Sequence, residues 1–347
     1  MLFVGLETML RLYAKSKLEV AQAMHATLAV GTQFLLAQKT NLNLIPLAGL
    51  SNKLTLLCNE GHGWTNYHSD RYGFPNDDKI WQQKNIHMAF IGDSYFQGAC
   101  LPQGQSFVDL IKNKVSALNL SSFGHGPLAQ LGIVHEYLMD IKPKKVVLSF
   151  VPNDLGIDLP LEYRHKILRE YLHGKGQNLK QRQFAIDQLY NKFLLNSQNI
   201  TDQRAHSKVL QNIQRLKLSL FRSAPQNAGY FADYQNINQE ALLLYRKILQ
   251  KIVKLVNTWS GQVYLVYIPD AYSYAPASLA NSQLYQAMLA TMTKELGIKF
   301  ISLAKMFNKN DNPFAYYTPL AGHYGHFNGR GTQLARAYLE KKLAIPL

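Results

Sequence analysis

The sequence predicts an α/β fold: a doubly wound, three-layer α/β/α domain around a five-stranded parallel sheet of flavodoxin-like order. A helical N-terminal segment and a helical insertion accompany it. Three observations predict this. Strand-like and helix-like patterns alternate five times between residue 87 and the C-terminus, the signature of repeated βαβ units. The strand-like runs are almost continuously apolar, as strands covered on both faces are. Ser94, Gly124 and Asn153 each fall directly after a predicted strand, at the carboxyl edge where such sheets keep their sites.

The elements read as follows. Residues 2–38 carry apolar positions at helical spacing, and "NLNLIPLAGLSNK" ends that pattern. Residues 51–86 are rich in Gly, Asn, Asp, Trp and Tyr without periodicity, an irregular lead-in. Residues 1–86 are therefore set apart from the domain at 87–347. Within the domain, "HMAFIGDS" (87–94) reads as a buried strand, "QSFVDLIKNKVSAL" (105–118) as a helix and "NLSSFGHG" (119–126) as a strand end with a glycine turn. Next come the helix "LAQLGIVHEYLMDI" (128–141) and the apolar strand "KKVVLSFVPND" (144–154). A mainly helical insertion at about 155–236 is expected to cap the site. Helix 239–259, strand 262–269, helix 282–297, strand 299–303 and a last helix from about 331 to 343 complete the chain.

Composition bounds the function. With 347 residues and 47% hydrophobic content, a sizeable core can form. The net charge of +15 favours anionic surroundings such as a phospholipid surface or an acidic polysaccharide. Residues 162–222 hold twelve Lys/Arg against four Asp/Glu, a basic helical surface. No zinc-finger spacing, arginine-rich tail or stacking motif points to nucleic acid. The N-terminus places Glu7 and Arg11 inside what a secretory signal would keep apolar, and the nearly apolar run 24–37 is too short to span a bilayer. A soluble chain is expected, anchored if at all through a segment upstream. Cys58 and Cys100 lie in no CxxC or Cys/His cluster; a single bridge and two free thiols both stay open. No cofactor is indicated.

A serine becomes a nucleophile when a base takes its proton and donors await the oxyanion. Ser94 is the candidate nucleophile. The candidate donors are its own N–H, the N–H of Gly124 and the amide of Asn153. His326, in a loop before the last helix, is the candidate base. Asp93 and Asp154 are read as anchors of their turns. His125 and Tyr95 are placed as pocket-lining candidates, with His323 as a hydrogen-bonding neighbour rather than half of a metal pair, since a metal needs three or four ligands.

Four blocks, "FIGDSYFQG", "NLSSFGHGPL", "VPNDL" and "HFNGRGTQLA", resemble in content and order those of the SGNH (GDSL-type) hydrolase family, with Ser94, Gly124, Asn153 and His326 at the matching positions. "HSDRYGFPNDDKIW" and "NDLGIDLPLE" resemble a bacterial subgroup with a Gly-His-(Tyr/Phe)-Asn last block. The resemblance implies a serine esterase, with a carbohydrate O-deacetylase as one form. An O-acyltransferase of surface polysaccharide is the nearest alternative, and a non-catalytic binder of anionic glycans is the rival from another class. It also implies a Cys58–Cys100 disulfide, hence an oxidising compartment and an extracytoplasmic location. One departure stands out. The family's last block carries an aspartate two or three residues before the histidine, and here those positions are Tyr324 and His323. Three arrangements stay open: a Ser–His dyad with a backbone carbonyl, a carboxylate from elsewhere such as Asp311, or a site that only binds.

Overall fold

The computed structural model describes residues 43–58, 60, 65–192, 238–308, 311–320 and 323–346. The helices expected over 2–38, and the insertion beyond residue 192, lie outside these residues. The heart of the fold is a five-stranded parallel sheet in the order β4-β3-β5-β6-β7. Its strands are β3 (Met88–Ile91), β4 (Ala117–Asn119), β5 (Lys145–Phe150), β6 (Gln262–Tyr267) and β7 (Lys299–Ser302). The expected flavodoxin-like order is therefore found.

Alternation along each strand divides the core into two layers. Ala89, Ile91, Val146, Leu148, Val263 and Leu265 face α3 (Pro127–Ile133), α6 (Gln239–Asn257) and α7 (Leu279–Glu295). Met88, Phe90, Val147 and Val266 face α2 (Phe107–Lys112) and α8 (Gly329–Lys342). Burying each such side chain contributes about 1.5–3 kcal/mol, so both helical layers are held by the sheet rather than by their own propensity.

The boundaries differ from the sequence reading in instructive places. The helix expected over 105–118 is only α2, capped by Ser106 accepting from the N–H of Asp109, because the chain must turn in time to enter β4 at Ala117. The lead-in is not structureless. It contains an antiparallel pair, β1 (Leu54–Leu56) with β2 (Asn66–His68), followed by a fold built on buried Asp70. The Asp70 carboxylate accepts from the N–H groups of Tyr72 and Phe74, from Asn76 Nδ2 and from Trp81 Nε1. Asn76 then exchanges two hydrogen bonds with the backbone of Asn119, at 2.8 and 2.9 Å, which pins the lead-in to the end of β4.

A second antiparallel pair, β8 (Tyr317–Leu320) with β9 (His323–Phe327), was not legible in the sequence. It corrects the expected loop around His326, which stands on β9. A proline at position 319 and a register irregularity mask the alternation. The described part of the insertion is helical, with α4 (Leu159–Tyr163), α5 (Lys166–Glu170) and helical residues 183–192. It packs beside α3; the rest of the expected cap lies outside the described residues. No helix among the described residues is long and apolar enough to cross a membrane.

Candidate active site

β3 delivers the chain through Gly92 and Asp93 into α1 (Ser94–Gln97), so Ser94 opens a helix at the carboxyl edge of the sheet. Asp93 is the N-cap: its Oδ1 accepts from the N–H of Tyr95 at 3.1 Å. The Ser94 hydroxyl has two acceptors in range. His326 Nε2 lies at 2.8 Å and Asp93 Oδ2 at 3.5 Å, and the shorter contact dominates.

The other side of the imidazole settles what faces it. His326 Nδ1 lies 2.6 Å from Oε1 of Glu60, whose carboxylate also accepts from the His326 backbone N–H at 3.0 and 3.2 Å. Glu60 belongs to the lead-in, just beyond β1. The sequence reading missed it and offered Asp311 instead. Asp311 is occupied locally, accepting from the N–H of Asn308 at 2.8 Å. A carboxylate at Nδ1 holds the proton there and leaves Nε2 as the acceptor for the serine proton. Two signals bear on Glu60. It lies two residues after Cys58, and Cys58 is joined to Cys100 with a Cα–Cα distance of 5.0 Å. And the residue before His326 is a glycine: a Cβ on Gly325 would fall 2.3 Å from the Glu60 carboxylate, so only glycine admits the acid.

Tyr95 and Phe123 hold the ring from the sides. Their centroids lie 4.7 and 5.8 Å from that of His326. Tyr95 is itself buried and packs on Phe327.

β4 and β5 flank β3, so the turns that follow them border the same edge. After β4, Ser122 O accepts from the N–H of His125, closing a turn in which Gly124 has φ +70°. A side chain would strain that conformation. Gln97 Oε1, from α1, accepts from the N–H of Phe123 at 2.9 Å and aligns this turn with the serine helix. After β5, Asn153 Nδ2 donates to Asp158 Oδ2 at 2.7 Å. That bond fixes which face of the amide is the donor and leaves a second N–H.

Behind these turns lies a group of buried carboxylates. Burial pushes Asp93 up to about 6, against the pull of His326. Burial, reinforced by Asp93, pushes Asp158 up to about 7. Asp154 is held well above the usual carboxylate range, first by burial and then by Asp158, while its Oδ2 accepts from the N–H of Val151. Glu162 is pushed up to about 8 by burial and Asp158, although it accepts from the N–H groups of Gly126, Leu128 and Ala129 at the start of α3.

His125 is fully buried, and burial lowers its pKa to about 3, so it stands as a neutral ring inside the turn. His323 pairs through its backbone with Leu320, and its side chain lies outside the described structure. Glu60, Cys100 and His326 place possible ligand atoms within 4.8 Å of one another. Cys100 is in a disulfide and supplies no thiolate, so the set does not fit a metal ion.

No family model matches the sequence, and no curated protein matches it. Among solved structures the fold is similar to a catalytic mutant of Axe2, an acetylxylan esterase from Geobacillus stearothermophilus, at 13% identity over 76% of this chain and 98% of that one, TM-score 0.42. It is similar to the lipase Lip_vut3 from a goat rumen metagenome, at 13% identity over 74% of this chain and 97% of that one, TM-score 0.42. TesA matches at 11% identity over 74% of this chain and 98% of that one, TM-score 0.41. At these identities and scores the likeness transfers no activity.

Proposed function

We propose that this chain is a serine acyl hydrolase of the SGNH type, cleaving an ester of a small molecule or a carbohydrate. One observation carries the reading: His326 bridges Ser94 Oγ, 2.8 Å from Nε2, and Glu60 Oε1, 2.6 Å from Nδ1. Nε2 takes the serine proton as Oγ adds to the acyl carbonyl, and the carbonyl π pair moves onto its oxygen. The N–H groups of Ser94 and Gly124, with the free N–H of Asn153, stabilise that oxyanion. The tetrahedral centre collapses, the alkoxide leaves with the proton from Nε2, and an acyl-serine remains. Water repeats the sequence and releases the acid. Glu60 holds the tautomer and offsets the charge on the imidazolium throughout.

The surplus of 15 positive charges supports a polyanionic carrier for the ester, such as an acidic polysaccharide. The disulfide supports an extracytoplasmic location. The test is hydrolysis of p-nitrophenyl acetate and labelling by a fluorophosphonate, each in wild type and Ser94→Ala. Both should vanish in the variant; equal hydrolysis by the two proteins would sink the proposal. Acyl transfer to an added oligosaccharide, at the expense of hydrolysis, would redirect the same acyl-enzyme to a transferase.

A further inference from the structure

We infer that the Cys58–Cys100 disulfide is the strap that holds Glu60 against His326, so that the redox state of one bond sets the competence of the catalytic base. The inference rests on the proposed role of Ser94 and His326 and adds a device to it. Cys100 follows α1, the helix that begins with Ser94, and Cys58 precedes Glu60 by two residues. Two residues of chain span at most about 7 Å, so the bond confines the acid to the neighbourhood of the nucleophile's own helix. The Cys100 sulfur comes within 4.8 Å of ligand atoms of both Glu60 and His326.

Among the described residues, the ribbon that leads to Glu60 is short. β1 and β2 are three residues each, and Leu54 is 39% exposed. The pairing continues through Leu57 and Cys58 with Thr65 toward Glu60, and through Lys53 and Asn52 with Ser69 and Asp70 at the other end. A two-stranded ribbon of this length is marginal by itself in water. The better-anchored part of the lead-in, around Asp70, lies beyond β2. Opening the bond releases Cys58, two residues before Glu60, from the segment that follows α1, while leaving the sheet, α1 and β9 intact. A dithiol reductant would pass two electrons and two protons to the bond, leaving Cys58 and Cys100 as thiols and itself as a disulfide. His326 would remain beside Ser94 without its partner at Nδ1.

Three measurements on the folded chain test this. Steady-state hydrolysis is compared for wild type before and after tris(2-carboxyethyl)phosphine, and for Cys58→Ser/Cys100→Ser; the phosphine reduces the bond with water and leaves as its oxide. The expectation is a fall in kcat of about 10- to 100-fold, the scale of a misplacement near 1 Å, with KM nearly unchanged. The same reduction in a Glu60→Gln background should change kcat by less than about twofold, because the group the strap positions is already disabled. Proton NMR follows the hydrogen-bonded Nδ1–H of His326 far downfield. It should be present in oxidised wild type and in Ser94→Ala, and lost on reduction and in Glu60→Gln. Three results overturn the inference: an unchanged signal on reduction, an equal loss of kcat in the Glu60→Gln background, or global unfolding by near-UV circular dichroism. If oxidised wild type hydrolyses no ester, the hydrolase reading falls, and the NMR signal alone still decides whether the strap holds the acid.

Discussion

Glu60 and His326 are 266 positions apart in the sequence and 2.6 Å apart in the fold, carboxylate oxygen to Nδ1. Neither Tyr324 nor His323, just before the histidine, supplies a carboxylate. Glu60 meets His326 in three contacts, one to the ring and two to the backbone N–H, so it fixes the strand as well as the ring.

Replacing Glu60 by Gln keeps the size of the side chain and removes its charge. The amide can present its NH₂ to Nδ1 and stabilise the wrong tautomer. We expect kcat to fall by about 10²–10⁴-fold with KM little changed, as when the orienting carboxylate of a serine triad is neutralised. Glu60→Asp keeps the charge and loses reach, and should recover part of the loss. Full activity in Glu60→Gln would mean that the carboxylate only anchors β9.

Gly325→Ala separates the acid's position from its identity. The added methyl would sit 2.3 Å from the Glu60 carboxylate, so the acid must withdraw while the Ser94 and His326 side chains stay unchanged. Alanine is otherwise the better strand residue, by about 0.5–1 kcal/mol. Thermal stability should therefore hold or rise slightly while kcat drops at least about tenfold. Combining Gly325→Ala with Glu60→Gln should cost little more than the Gln change alone.

These two residues also show where the sequence was readable. Four of the five strands of the parallel sheet announce themselves as apolar runs, while most of β4 reads as the end of the helix before it. Ser94, Gly124 and Asn153 were singled out because each falls just after a predicted strand. Glu60 follows none. It sits in a stretch without periodicity, and its partner lies on β9, whose pairing strand β8 carries Pro319 and a register irregularity. Of the three arrangements left open there, a carboxylate from elsewhere carried Asp311 as its example, because sequence proximity is the only distance a sequence displays. The glycine before His326 and the cysteine two residues before Glu60 were both visible. Their meaning needed the approach of the lead-in to β9, which is a tertiary fact.

Asn153 and Asp158 form a second testable pair. Removing one preorganised oxyanion donor costs about 10²–10³-fold in kcat, and Asn153→Ala should fall in that range. Asp158→Ala leaves the donor in place and releases its orientation, since the 2.7 Å bond from Asn153 Nδ2 is gone. Its cost should be smaller, about tenfold, and nearly absent in an Asn153→Ala background. Single-turnover acylation of Ser94 by a p-nitrophenyl ester measures both. Equal, additive losses would separate Asp158 from the donor.

Asp158 also predicts how stability depends on pH. Burial and the neighbouring Asp93 raise its folded pKa to about 7, above the ordinary carboxylate value near 4. Between these values the folded chain binds a proton that the unfolded chain has released. Stability therefore declines as pH rises across that window and levels off above it, because raising pH favours the state that holds fewer protons. Asp154 and Glu162 are raised as well, by burial and by Asp158, and push in the same direction. Asp78 opposes them: its hydrogen bonds with Arg71 hold its carboxyl below the usual range, so its contribution is present above pH 4 and lost in acid. Asp158→Asn can still accept from the Asn153 amide and cannot ionise. Its melting temperature should fall less than that of wild type between pH 5 and about 7.5, the pH-dependent loss of stability differing by about a few kcal/mol at the upper end. Parallel melting curves across that range would show that Asp158 stays ionised throughout, and that the buried carboxylates are stabilised by donors other than their own protons.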